Sequence, residues 1–320
     1  MLAAYASAVN PDDPFAALSV GEIEPPDVPE DWTRIPLAAA SLNHHDLWSL
    51  AGVGLRAEQC PMILGTDAVG RNDNGHLTVV YPVIGDASLA DETLDPKRTL
   101  LSELHPGTLA EHVAAPERNL VPAPPGWTAA EAACLPTTFL TAWRMLTTRG
   151  RLPADGAVLV QGTGGGVATA AIVLAKALGA RVYATGRDPG RREQAAAIGA
   201  IPVEAGDRLP ERMDLVIDSV GAPVMSHSIK SLKPGGRLVN CGATGGPVAE
   251  VDLRHVFFKQ LEILGSTMGT RDELVEVIRF CAERDVKPVI DSTFPLADAE
   301  QALRRLASGE AFGKVVLVNE

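Results

Sequence analysis

Cysteine is scarce in this chain: four in 320 residues, at positions 60, 134, 241 and 281, with no C-x-x-C pair. That disfavours a disulfide framework or a cysteine-built metal cluster and suits a reducing compartment, the cytoplasm. Cations are also in deficit, 28 Lys and Arg against 40 Asp and Glu, a formal net charge of −12. This is the wrong sign for a nucleic-acid surface. No apolar run reaches the ~20 residues of a membrane span, and the first residues lack the basic stretch of a secretory leader. There is no internal repeat and no low-complexity linker. What is left is 46% hydrophobic with a mean hydropathy near zero. This is the composition of a globular protein, long enough for two domains with full cores. The expected partner is a small molecule, neither nucleic acid nor membrane.

The most informative stretch is Ala157-Val-Leu-Val-Gln-Gly162-Thr-Gly164-Gly165-Gly166-Val167-Ala168. An apolar run enters a glycine cluster, an Ala-rich helical run follows to Gly179, and a second apolar run covers 181–185. Strand, tight glycine turn, helix and strand form the unit that holds a dinucleotide pyrophosphate on a helix N-terminus. A free ribose 2′-OH usually meets an acidic residue at the end of the second strand. Here that position is Gly186, followed by Arg187-Asp188-Pro189-Gly190-Arg191-Arg192. A guanidinium binds a 2′-phosphate that a carboxylate would repel, so the pattern favours NADP(H) over NAD. The alternative is an ordinary solvated helix start, with Asp188 as N-cap and Pro189 in the first turn.

Residues 1–125 are Pro-rich, with alternating runs at 77–84 and 109–115, and read as an irregular, mostly β domain. A helical pattern covers 128–145. Strands then follow at 157–161, 181–185, 201–204, 214–219, 236–241 and 261–265, enough for a six-stranded doubly wound parallel sheet in an α/β protein. The tail has helices over 271–284 and 297–308 and strands near 288–294 and 314–318. The expected division is 126–268 for the nucleotide domain, with 1–125 and 269–320 forming the other.

In this order the segments resemble the medium-chain dehydrogenase/reductase superfamily over essentially the whole chain. The residues that carry the resemblance are Asn43-His-His-Asp46-Leu-Trp48, Pro61-Met-Ile-Leu-Gly65-Thr66-Asp67-Ala-Val-Gly70, Gly107-Thr-Leu-Ala-Glu-His-Val, Leu135–Trp143, the glycine turn, Asp214–Val220, Leu232-Lys-Pro-Gly-Gly236 and Gly313-Lys-Val-Val-Leu. The resemblance implies a GroES-like substrate domain, a Rossmann domain, and hydride transfer with a nicotinamide cofactor in the cleft between them. One departure lies in the turn: Gly166-Val167 stands where relatives often carry Val-Gly, with Ala168 next, and both are small enough for close helix packing.

Zinc members of the superfamily bind their catalytic metal through Cys, His and Cys. The matching positions here are Asn43, Thr66 and Thr137, none a good zinc ligand. The segment Asp86–His105 also lacks the cysteines of the structural zinc lobe. A replacement site from His44, His45 and Cys60 is disfavoured, since adjacent histidines on a strand point opposite ways. The chain thus resembles the zinc-free branch, which includes quinone oxidoreductases and enoyl reductases. Without a Lewis acid an unactivated alcohol is hard to oxidise, whereas a quinone or conjugated enone accepts hydride once aligned.

The resemblance also implies roles. Asn43 would donate to a substrate carbonyl, with a turn-capping Asn as its bland reading. His45 would donate a proton or bind the ribose, and Trp48 would wall the pocket. His44 would contact a cofactor phosphate, and Thr141 would pack near the nicotinamide. Gly162, Gly164, Gly165, Gly166 and Val167 would hold the pyrophosphate, and Gly186, Arg187 and Arg191 the adenosine ribose. Cys241, Gly242, Ser266 and Met268 would fix the carboxamide. The substrate pocket falls to loops Trp48–Gln59 and Asp86–His105, which follow no readable motif. The expected activity is NADPH-dependent reduction of a quinone or α,β-unsaturated carbonyl. The alternatives are an acyl-CoA enoyl reductase and a non-catalytic NADPH-binding protein. The apolar run Phe257–Leu264, leading into an expected edge strand, points to a homodimer.

Overall fold

A computed structural model describes residues 1–319. The chain forms two compact units: Met1–Thr137, Thr270–Glu283 and Ile290 onward make the first, and Thr138–Gly269 with Arg284–Val289 the second. Residues 126–137 thus belong with the first unit. Among the described residues no helix is long and apolar enough to cross a membrane.

The second unit is a six-stranded parallel sheet. Its strands are, in chain order, Ala157–Gln161, Arg181–Gly186, Ile201–Glu204, Met213–Asp218, Leu232–Asn240 and Glu262–Gly265. In space they run third, second, first, fourth, fifth, sixth. The chain reverses its direction of travel after the third strand, which is the strand order of a doubly wound sheet. The two innermost strands read as continuous apolar runs because both faces are covered: Val158, Leu159, Val216 and Leu215 are fully buried. All six strands lie where the sequence pattern puts them. The fifth begins earlier, at Leu232, with an irregularity in its pairing to Met213–Leu215.

The first unit is mostly β. Its largest sheet runs Leu120–Pro122, Leu77–Val80, Asp67–Arg71, Trp32–Ser41, Lys314–Val318 and Ile290–Pro295, and His112–Pro116 pairs with the first half of the long strand. Leu37, Leu50, Leu64, Leu101, Leu303 and Leu317 form part of its core.

The local differences from expectation trace to single residues. The run at 77–84 splits into Leu77–Val80 and Val83–Ile84 around Pro82, which has no N–H for the ladder. The helix expected over 128–145 starts with a capping box of Thr128 and Glu131, then passes through a π-type turn at Leu135–Phe139 that contains Pro136. His44 and His45, taken above as strand residues, begin the helix His44–Leu50. The Asp46 carboxylate accepts the Asn43 backbone N–H at 2.8 Å and stops the strand there.

Candidate functional site

In the second unit one ladder row organises the carboxyl edge of the sheet. Thr185, Gln161, Asp218, Asn240 and Gly265 are successive register partners across five strands. Gly186, Gly162, Cys241 and Ser266 each come one residue beyond that row. Residues far apart in sequence are therefore aligned at the edge where such sheets take ligands, and the strand order reverses there between the first and fourth strands.

Beyond Gln161 the chain turns at Gly162, whose φ of +96° favours glycine. It then enters the twelve-residue helix Gly166–Ala177 with Gly165 as N-cap. No side chain caps this helix, and a Cβ on Gly165 would meet nothing within 4 Å. The first-turn N–H groups are therefore free of side-chain acceptors, as a pyrophosphate cradle requires. The turn is held from behind. The Gln161 side chain accepts from Thr185 Oγ1 at 2.6 Å and donates to Ser228 Oγ at 2.9 Å. Gly186 packs against the same turn: a Cβ there would lie 2.8 Å from Thr163 Oγ1.

Asp188 caps the next helix, accepting the Arg191 N–H at 2.8 Å with Pro189 in its first turn. Arg192 is committed to the carbonyls of Gly186 and Arg187. The exposed Arg187 side chain has no partner among the described residues. At the other end of the row, burial pushes the Cys241 thiol up to about 12, so it is a neutral thiol. Ser266 Oγ is buried and unpartnered. Met268 is buried with a φ of +48°, and Thr141 is buried in the helix Leu140–Arg144.

In the first unit Asn43, Thr66 and Thr137 meet. Asn43 Nδ2 donates to Thr66 Oγ1 at 3.1 Å, and Thr66 and Thr137 share a hydroxyl contact of 3.2 Å. Asn43 Nδ2 also donates to Asp67 Oδ2 at 2.9 Å, and Asn43 Oδ1 accepts from Lys314 Nζ at 2.7 Å. Both amide hydrogens and the amide oxygen are thus engaged within the protein. Lys314, 3% exposed, also donates to the Leu42 carbonyl and pairs with Asp67 at 3.4 Å. Sequence reasoning assigned Lys314 no role, although its Gly-Lys pair was visible. The three positions where zinc relatives carry ligands are here an amide and two hydroxyls bonded to one another beside a buried ammonium. They do not fit zinc. Among the described residues no three His, Cys, Asp or Glu side chains form a metal-binding group.

His45 lies behind this cluster on the same short helix. Its Nε2 meets Glu103 Oε1 at 3.3 Å and its Nδ1 meets Ser102 Oγ at 3.5 Å. Burial opposes the imidazolium, but the Glu103 hydrogen bond and the carboxylates of Asp46, Glu103 and Asp67 outweigh it and raise the pKa. His44 goes the other way: desolvation and then the Lys314 charge lower its pKa. Trp48 is 40% exposed, its ring 6.3 Å from that of His44. Asp46 is fully buried with Oδ1 unpartnered, and burial raises it to about 6.

Glu103 also faces a groove of about 470 Å³ within this unit. One wall is the loop of Gly52, Gly54, Arg56 and Gln59; Arg98 and Leu104 line another. The groove therefore lies between the two loops that the sequence leaves without a motif. Glu103 had no sequence signal because it stands in a motif-free loop, 58 residues from its partner His45.

The family described as zinc-binding dehydrogenase matches residues 192–317. A crystal structure described as an NAD-dependent alcohol dehydrogenase is 34% identical, covers 100% of both chains and has a TM-score of 0.91. An acryloyl-coenzyme A reductase of Sulfurisphaera tokodaii is 28% identical, over 95% of this chain and 97% of its own. A chloroplastic quinone-oxidoreductase homolog of Spinacia oleracea is 29% identical, over 94% of each. Polyketide synthase proteins match as well, and of their length the chain spans 13–14%.

Proposed function

Given that the chain belongs to the medium-chain dehydrogenase/reductase superfamily and is an oxidoreductase of it, we propose that it is a zinc-independent, NADPH-dependent reductase of a quinone or an α,β-unsaturated carbonyl. The observation that carries this reading is the Asn43–Thr66–Thr137 cluster with Lys314 beside it. A site without a Lewis acid suits substrates already activated for reduction.

A nicotinamide cofactor, when bound, would supply hydride. Gly162–Val167 would bind its phosphates through backbone N–H groups, Arg187 would recognise the 2′-phosphate with Arg191 nearby, and Cys241, Gly242, Ser266 and Met268 would orient its ring with Thr141. His44, its pKa lowered by burial and then by Lys314, would serve as a neutral donor. On the substrate side His45 holds a proton, kept on the ring by Glu103, and Trp48 forms an apolar wall. Asn43 acts from within: its engaged amide fixes the start of the helix that carries His45. An acyl-CoA enoyl reductase is the second reading, favoured by similarity to the acryloyl-coenzyme A reductase. The strand Glu262–Gly265 is paired on one side only, and Leu253, Phe257 and Phe258 nearby are 68%, 61% and 77% exposed. We assign this open edge to a homodimer contact.

The test is a reductase assay with NADPH against quinones, enones and acyl thioesters on protein whose zinc content is measured. Turnover without stoichiometric zinc is expected; zinc-dependent alcohol oxidation would overturn the reading. The choice of cofactor rests on Arg187. A charge-assisted bond to phosphate contributes about 1.5–3 kcal/mol, so Arg187→Ala should weaken NADPH about tenfold or more and leave NADH unchanged. Equal affinities of the unaltered protein for both would refute the NADP(H) assignment.

A further inference from the structure

The groove beside Glu103 carries charge of an unexpected sign. The chain as a whole is acidic, with a formal net charge of −12, and many of its arginines sit in ion pairs: Arg118 with Glu92, Arg151 with Glu262, Arg181 with Glu211, Arg305 with Asp291. Arg56 and Arg98, from the two walls of the groove, have no acidic partner among the described residues. The Arg56 backbone is clamped by Gln59 at 2.8 Å, and the Arg98 guanidinium makes one long contact of 3.4 Å, to the Asp95 carbonyl. The acid in the lining, Glu103, is already taken. His45 holds one oxygen, and the Leu100 N–H and Thr99 hydroxyl hold the other at 2.8 and 3.0 Å. The wall opposite carries Gly52 and Gly54, whose φ of +84° and +82° favours glycine, and a Cβ on Gly54 would already stand 3.5 Å from Glu103 Oε1. Leu104, 57% exposed, adds an apolar patch at the lining.

We propose that this groove is an anion subsite for the tail of the substrate, with Arg56 and Arg98 gripping a phosphate ester while Leu104 meets the aliphatic arm. Planar guanidinium groups are suited to bidentate phosphate contacts, and two of them facing one groove outweigh an acid that is already paired. The inference rests on the reductase reading and narrows it. Among activated carbonyl compounds the substrate is a thioester on a phosphorylated arm, either free or attached to a carrier protein.

The experiment is calorimetric titration of the intact protein, saturated with NADP⁺ so that the nucleotide site is occupied. The probes are 4′-phosphopantetheine and pantetheine, which differ by the phosphate alone. Tighter binding of the phosphorylated probe is expected, with the Arg56→Gln/Arg98→Gln double variant losing tenfold or more of its affinity while pantetheine binding is unchanged. Lys97→Gln, an exposed cation outside the lining, should change nothing and separates a site from general surface charge. Equal affinity for the two probes, or a double variant as good as the unaltered protein, overturns the subsite. The readout needs no turnover, so a subsite that binds in a protein that reduces nothing would sink the reductase reading alone. Steady turnover of an unsaturated acyl-phosphopantetheine thioester, with the same KM in the double variant as in the unaltered protein, would sink the subsite alone. Comparing a coenzyme A thioester with the same acyl group on a carrier protein then tells the two sources apart.

Discussion

The carboxyl edge of the second unit's sheet and the Asn43 cluster of the first unit are both polar sites, built on opposite principles. The edge is made of backbone. Its row from Thr185 to Gly265 is set by parallel pairing, and its glycine turn leaves helix N–H groups without side-chain acceptors. The cluster is made of side chains that satisfy each other: Asp67 Oδ2 alone accepts from Ser41 at 2.6 Å, from Asn43 at 2.9 Å and from Lys314 at 3.4 Å. An open backbone arrangement leaves N–H donors that no side chain engages. A closed side-chain site holds the surrounding fold and is damaged by the loss of any one member.

The sharpest way to separate the two is Gly165→Asp. The position is an N-cap with open space around it, so the protein should fold normally or gain a few tenths of a kcal/mol from the cap. A carboxylate against the pyrophosphate should nevertheless weaken NADPH about a hundredfold or more, judged from the ~1.5–3 kcal/mol of each charge-assisted phosphate bond. Retained affinity, by fluorescence titration, would show that the turn is not the cradle.

Lys314→Met is the converse. It leaves the buried Asp67 carboxylate without its cation, a loss of about 3–5 kcal/mol. Denaturant melts should show that loss, and NADPH affinity at temperatures where the variant is folded should be unaltered. Adding Asp67→Asn should restore part of the stability. If the single variant melts like the unaltered protein, the cluster does not hold the fold as described.

The third prediction concerns Asp46, raised from 3.8 to about 6 by burial first and by Asp67 second, against the pull of His45, the Asn43 N–H and Lys314. The folded state holds this proton more tightly than the unfolded chain. Its contribution to stability is therefore full below pH 3.8 and lost as pH rises through about 6. The difference amounts to about 3 kcal/mol. Asp46→Asn keeps an acceptor for the Asn43 N–H and removes the titration. The variant should match the unaltered protein near pH 4 and be the more stable of the two at pH 8. Parallel pH profiles of melting temperature would contradict this.

The backbone site was legible in the sequence and the side-chain site largely was not, for a physical reason. A strand, a glycine turn and a helix are written in consecutive residues, and the alignment of Gly162, Gly186, Cys241 and Ser266 follows once each strand is found. The cluster depends on pairs such as Asn43 with Lys314 and Thr66 with Thr137, which only the completed fold brings together. The substitution of the zinc ligands could be read position by position; that their replacements bond to one another could not. The Asn43–Asp46 spacing did hold a readable signal, the reciprocal half of a capping box, and it would have put His44 and His45 on a helix.

The strand Lys314–Val318 lies between Trp32–Ser41 and Ile290–Pro295 in its sheet, and this sets an order of events during synthesis. The second unit takes nearly all its residues from one contiguous stretch, Thr138–Gly269. It can close while the ribosome is still at work. The first unit, begun earlier, must wait with a gap in its sheet and with Asp67 lacking its cation until Lys314 arrives. The part of the chain made first is therefore the last to be finished, and a nascent chain halted short of residue 314 would carry a folded second unit beside an unclosed first, open to a quality-control protease.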